Sequence, residues 1–128
     1  MIALLDTSSP TCRLSFIEDD WHYDATWEAG RQLARGLLRF VEEQLHAQGK
    51  DWQDLTGLVV YRGPGSFTGL RIGITVWNSL AYARALPIVG TMGDDWQVIG
   101  LARLKAGESD TVVLPEYGGE ANITTPRK

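Results

Sequence analysis

Residues Gly63 to Gly73 read GPGSFTGLRIG, and the reading of this glycine-rich run decides how the rest of the chain is organised. It follows Leu58, Val59, Val60 and Tyr61, a continuous apolar run of the kind buried on both faces of a sheet. It precedes Leu70 to Ala85, which reads as a helix. Strand, tight turn and helix in that order are a building unit of an α/β domain. Gly65 and Gly69 are expected to take strained backbone conformations in the turn, and Ser66 or Thr68 can cap the amides that open the helix. A loop of this kind can also cradle a phosphate, since free amides and the helix dipole favour an anion. It lacks the lysine and spacing of a P-loop and the spacing of a dinucleotide fingerprint, so a structural turn is the stronger reading of these residues alone.

Upstream, Ile2 to Leu5 is an apolar run ending at Asp6, broken by Thr7, Ser8, Ser9 and Pro10. Cys12, Leu14 and Phe16 alternate with Arg13 and Ser15. After a polar turn at Glu18, Asp19 and Asp20, residues Trp21, Tyr23, Ala25 and Trp27 alternate again. The pattern predicts an antiparallel meander. From Gly30 the rhythm changes to Leu33, Leu37, Leu38, Val41 and Leu45, an amphipathic helix stopped by Gly49. Downstream, Pro87 introduces a strand through Ile88 and Val89. Asp94 is placed to cap a helix through Trp96, Ile99, Leu101 and Leu104 that ends at Gly107, and Thr111 to Leu114 reads as a short strand. The expected organisation is one lobe over residues 1–114 and an extended or mobile tail over 115–128, where Gly118, Gly119 and Pro126 occur with almost no apolar residue.

Composition narrows the function. With 128 residues and 44% hydrophobic content the chain fits one domain with one ordinary core. A formal net charge of -4 argues against an indiscriminate nucleic-acid binder, which needs clustered lysine and arginine. The apolar stretch before Asp6 is too short for the core of a signal peptide, and no segment has the apolar length of a membrane span, so a soluble cytoplasmic protein is expected. Cys12 is the single cysteine and reads as a small core residue. His22 and His46 are too few and too far apart for a recognised zinc pattern.

The block GPGSFTGLRIG, the opening Leu4, Leu5, Asp6, Thr7, Ser8, and the segment Leu86, Pro87, Ile88, Val89, Gly90 resemble, in the same order, matching parts of the YeaZ/TsaB family. The resemblance covers about residues 1–91, and Leu114, Pro115, Glu116 and Tyr117 faintly resemble the family's C-terminal end. It implies an α/β fold, a single actin-like and ribonuclease-H-like (ASKHA) lobe, with helices packed on a mixed sheet. It also implies a non-catalytic scaffold or activator that binds the catalytic subunit TsaD. With the ATPase TsaE, that subunit makes N6-threonylcarbamoyladenosine on tRNA. ATP and metal are then expected on the partner subunits and none on this chain alone, with tRNA met only through the complex. The catalytic relatives carry two metal-binding histidines on the first helix, where this sequence has Gly30, Arg31 and Gln32 at the start and His46 near the far end. The rival reading is a small nucleotide-binding or ATP-hydrolysing actin-like lobe, or a peptidase-like protein of the same superfamily. A regulator that binds the catalytic subunit without activating it is a third.

For the rival, Asp6, Thr7, Gly65, Ser66 and Thr68 are the candidate phosphate contacts. Structural hydrogen bonding of Asp6 to the turn at Thr7 to Ser9 is the stronger reading of that residue. Ser66 lacks the surroundings of a nucleophile elbow. For the partner reading, apolar side chains spread nearly all round the helix Leu70 to Ala85, more than a helix lying on a sheet requires. The segment Asp94 to Leu104 folding back over it is the simpler alternative. The predicted interface is Leu33, Leu37, Phe40 and Val41 with Leu70, Arg71, Ile74, Trp77 and Ala81, and Trp77 lies near its centre. Trp77, Asn78 and Ser79 stand where relatives usually show small residues, lysine and glycine. An arginine row, Arg31, Arg35 and Arg39, followed by Glu42 and Glu43, reads as a solvated face or as an edge complementary to an acidic helix. A second copy could fill the same groove, so a homodimer competing with the heterodimer is expected.

Overall fold

The computed structural model describes residues 1–117. The meander forms as the alternation dictates. Strands β1 (Ile2–Asp6), β2 (Thr11–Glu18) and β3 (Trp21–Glu28) pair antiparallel, with Leu5 opposite Leu14 and Phe16 opposite Tyr23. Two helices then carry the chain to two parallel strands. These are α1 (Leu33–Ala47), β4 (Gly57–Tyr61), α2 (Phe67–Arg84) and β5 (Ile88–Thr91), giving the sheet order β3-β2-β1-β4-β5. A final helix, α3 (Trp96–Lys105), follows β5.

Side chains of period two sort the two faces of the sheet. Ala3, Leu5, Cys12, Leu14, Phe16, Leu58, Val60 and Ile88 point to one face, where Leu33, Leu37, Phe40, Val41 and Leu45 of α1 and Leu70, Ile74, Trp77 and Ala81 of α2 complete the main core. Leu4, Val59 and Val89 point to the other, under Trp96, Leu101 and Leu104 of α3. The alternative in which Asp94 to Leu104 folds over α2 is therefore set aside: α3 covers the opposite face of the sheet. Gly100 lets it lie close there, because a Cβ at that position would press into the Val59 side chain. Asp95, not Asp94, occupies the N-cap position, and its side chain makes no capping bond.

Cys12 is buried, and desolvation together with the nearby Asp6 charge pushes its thiol up to about 12, so it stays an inert core thiol. Among the described residues no helix is long and apolar enough to cross a membrane.

The short strand expected over Thr111 to Leu114 does not form. Thr111 has φ 67, which turns the backbone away from β5. One backbone bond, from the Asp110 N–H to the Ile88 carbonyl at 2.7 Å, and several side chains take the place of a sixth strand. The Ile88 N–H donates to Ser109 Oγ at 3.2 Å, the Gly90 N–H to Asp110 Oδ2 at 2.8 Å, and Arg103 Nη1 to the Gly90 carbonyl at 3.3 Å. Farther on, Val113 is buried and held at both backbone groups by the Asn78 side chain, each bond 2.9 Å. Arg62 donates to the Leu114 carbonyl, and the Glu116 N–H donates to the Arg62 carbonyl. Of the tail expected over 115–128, the part beyond Tyr117, with Gly118, Gly119 and Pro126, lies outside the described residues.

Asp110 makes this edge sensitive to pH. Burial alone would raise its pKa, but hydrogen bonds from Arg103 and the Gly90 N–H, with the charges of Arg103 and Arg62, outweigh burial and hold it below the ordinary carboxylate range. A depressed folded-state pKa contributes stability that is present above the unfolded value of about 4 and is lost as pH falls through the folded value. Asp110→Asn is expected to melt below the wild type at neutral pH, and the gap should close as the pH is lowered from about 5 to 3. Thermal melts of both proteins across that range check this, and a gap independent of pH would contradict it.

Candidate functional site

The residues that sequence reasoning singled out fall in two places: the glycine-rich loop with the end of β1, and the α1–α2 pair. At the loop, Ser66 is the N-cap of α2, and its hydroxyl oxygen accepts from the Gly69 N–H at 3.3 Å. The helix thus starts at Phe67, three residues before the sequence placed it. Loop and β1–β2 turn are joined by the Ser66 N–H donating to the Ser8 carbonyl at 2.9 Å and by Thr7 Oγ1 donating to the Gly69 carbonyl at 2.7 Å.

The glycines serve this junction, and the reason differs from the expected one. Gly63 carries the positive φ of the loop, 125°, whereas Gly65 and Gly69 are needed for close approach. A Cβ on Gly65 would press on Ser8, one on Gly69 would meet the Thr7 carbonyl oxygen, and one on Gly73 would meet the Thr7 hydroxyl and methyl. Gly69→Ala should therefore force α2 off the β1–β2 turn and cost about 1–3 kcal/mol. Urea unfolding of the variant checks this, and an unchanged midpoint would contradict it.

The junction bears on the candidate phosphate contacts. Thr7 is buried and its hydroxyl is already bonded to Gly69, so Thr7 is corrected to a structural residue. Asp6 Oδ1 accepts from the Ser8 N–H at 2.8 Å, the turn-holding role. Gly65, Ser66 and Thr68 are exposed beside them, with the Ser66 and Gly69 amides turned to protein oxygens. Among the described residues no cluster of histidine, cysteine, aspartate or glutamate could hold a metal ion.

On the α1–α2 pair the interface prediction needs its main correction. Leu33, Leu37, Phe40 and Val41 on α1 and Leu70, Ile74, Trp77 and Ala81 on α2 are all buried against the chain's own sheet. Trp77 is 0% exposed, with its indole N–H directed at the Ala3 carbonyl at 3.4 Å. Only Arg71 of the nine is exposed, and it lies over the Phe67 ring. The physical reason is the helical period. Positions 70, 74, 77 and 81 form one stripe, and the largest apolar side chain of that stripe is drawn into the core.

What remains outward is the neighbouring stripe. Ala34 of α1 borders Ile72, Thr75 and Val76 of α2, and Leu38 borders Leu80. Leu38 is 53% exposed, and Ile72, Val76 and Leu80 are half-buried. Along this seam run two open hollows. One, about 410 Å³, is lined by Ala34, Thr68, Arg71, Ile72, Thr75 and Val76; the other, about 480 Å³, by Leu38, Arg39, Glu42, Trp52, Leu80 and Arg84. Of these residues, Leu38, Ile72, Val76 and Leu80 are the helical apolar positions the sequence offers, and a strict 100° projection anchored on Trp77 as a core residue separates the two stripes. Asn78, read as an oddity of the interface, instead pins Val113.

Comparison with known proteins agrees with this geometry. The family model described as TsaD, tRNA N6-adenosine threonylcarbamoyltransferase, matches residues 27–92. The chain is similar to the tRNA threonylcarbamoyladenosine biosynthesis protein TsaB of Escherichia coli, 33% identical over 112 residues, covering 82% of this chain and 48% of that protein. It is also similar to the tRNA N6-adenosine threonylcarbamoyltransferase of Syntrophus aciditrophicus, 30% identical over 96 residues, covering 74% and 28%. Among solved structures, a Pseudomonas aeruginosa protein titled as similar to peptidase YEAZ superposes with a TM-score of 0.67 at 30% identity, covering 71% of this chain and 42% of that one. The chain thus spans about half the length of its TsaB relative. The architecture is an actin-like α/β lobe, as the resemblance implied.

Proposed function

Because the chain belongs to the family described as TsaD, tRNA N6-adenosine threonylcarbamoyltransferase, and within it to YeaZ/TsaB, we propose that it is a non-catalytic scaffold or activator subunit. In this reading it binds a TsaD-type catalytic subunit and holds it in working form for N6-threonylcarbamoyladenosine modification of tRNA. A TsaE-type ATPase joins the assembly, and ATP, metal and tRNA are handled there.

The observation that carries the reading is the outward seam of α1 and α2, an apolar stripe on paired helices that none of the described residues covers. Two further features favour it over a small enzyme. Helix α1 carries one histidine, His46, exposed beside Asp51, where the catalytic relatives are expected to place a metal-binding pair. The glycine-rich loop turns its Ser66 and Gly69 amides and the Thr7 hydroxyl to protein oxygens, which disfavours a phosphate cradle.

Co-expression with a TsaD-type subunit followed by size-exclusion chromatography tests the pairing, and assays of ATP and peptide hydrolysis test the rival. A stable complex is expected, with no turnover by the chain alone. Turnover that disappears in Asp6→Ala would favour the nucleotide-binding lobe instead.

A further inference from the structure

The seam is bordered by cations. Arg71 borders the first hollow, and Arg39 and Arg84 border the second beside Glu42. Arg31 lines a neighbouring hollow that shares Thr68 and Ile72 with the first, and Arg35 lines another beside Arg39 and Glu43. Among the described residues none of these five arginines is in an ion pair, whereas Arg103 on α3 is paired with both Glu108 and Asp110. Glu42, the one acid among the described residues lining the two hollows, accepts a hydrogen bond from the Trp52 indole. A chain of net charge -4 therefore presents a locally positive face around its open apolar stripe.

Resting on the partner reading above, we propose that this arginine rim selects an unlike partner, a helix pair with an apolar stripe and an acidic rim, and disfavours a second copy of this chain. Two copies meeting through the seam by a twofold axis bring the same rim to both sides of the interface. Glu42 and Glu43 can answer only part of the excess. Like charges facing one another across a contact act as a specificity element, because they penalise the wrong partner more than they help the right one. A nucleic-acid surface fits less well. Phosphate has no use for the stripe of Leu38, Ile72, Val76 and Leu80 between the arginines, and that stripe would stay in water.

The proposal fixes opposite signs of salt dependence. At about 0.1 M salt charges are felt over about 10 Å, and at 1 M over about 3 Å. Self-association of the wild type is expected to be weak at low salt and to tighten with added salt, while pairing with an acidic-rimmed partner weakens. The test supplies that partner directly: the triple variant Arg39→Glu, Arg71→Glu, Arg84→Glu, checked for folding by circular dichroism, is mixed with wild type in sedimentation experiments. At low salt the mixed dimer should form at concentrations about ten-fold or more below those needed by either protein alone, and that preference should fade at high salt. If the mixture associates no better than the wild type alone, or if the wild type dimerises most tightly at low salt, the proposal is overturned. Arginine-dependent binding of tRNA by the isolated chain without a mixed dimer would overturn it too, assigning the rim to nucleic acid. Should the mixed dimer form while a TsaD-type subunit fails to bind, the rim stands and the partner reading falls.

Discussion

Trp77→Ala is expected to lower the stability of the chain by about 3–5 kcal/mol, the usual cost of removing a buried aromatic side chain. Trp77 lies between α2 and the centre of the sheet at 0% exposure, and its indole N–H is the group directed at the Ala3 carbonyl. Alanine there leaves a cavity and takes away that donor. A domain of this size has only about 5–15 kcal/mol to lose, so the variant should be partly unfolded at 37 °C. Trp77→Phe keeps most of the volume and loses the donor, so it should fall between the two. Trp77→Glu would bury a charge without a partner and should not fold. Urea unfolding followed by far-ultraviolet circular dichroism measures all three. An alanine variant within about 1 kcal/mol of wild type would contradict a core position for this residue.

The second large effect belongs to the seam. Leu38→Asp with Thr75→Asp places two charges on exposed positions in the apolar stripe, so the fold should be retained while the partner surface is lost. Residues at the desolvated centre of an interface commonly carry 2 kcal/mol or more each. A loss on the order of 2–4 kcal/mol, roughly 30- to 1,000-fold in Kd, is therefore expected for binding a TsaD-type subunit. Isothermal titration with wild type and double variant measures it. Equal affinities would move the interface away from α1 and α2.

These two variants mark how far the sequence could be read. The meander, helix α1 and the parallel strands were legible because their periods are clean. Cys12, Leu14 and Phe16 alternate into the core, and Leu33, Leu37, Val41 and Leu45 mark one side of α1. Helix α2 was harder because apolar residues surround it, and period alone does not say which stripe meets the sheet. Size does: the sheet has to be filled, and Trp77 fills it. The loop was legible as a turn, but the reason for Gly65, Gly69 and Gly73 lay in Thr7 and Ser8, some 60 residues away in sequence. The closing segment escaped because β5 is edged by Ser109, Asp110 and Arg103 side chains, which have no period to detect.

In the proposed role this chain enables a catalytic partner through the α1–α2 seam. That role is tested most directly by measuring N6-threonylcarbamoyladenosine on tRNA by mass spectrometry. A TsaD-type subunit and a TsaE-type ATPase are assayed with ATP in three parallel reactions: without this chain, with it, and with the Leu38→Asp, Thr75→Asp variant. Modified nucleoside is expected only in the reaction that contains the wild-type chain. Equal modification in all three, or complex formation with no modification in any, would contradict an activating role for this protein.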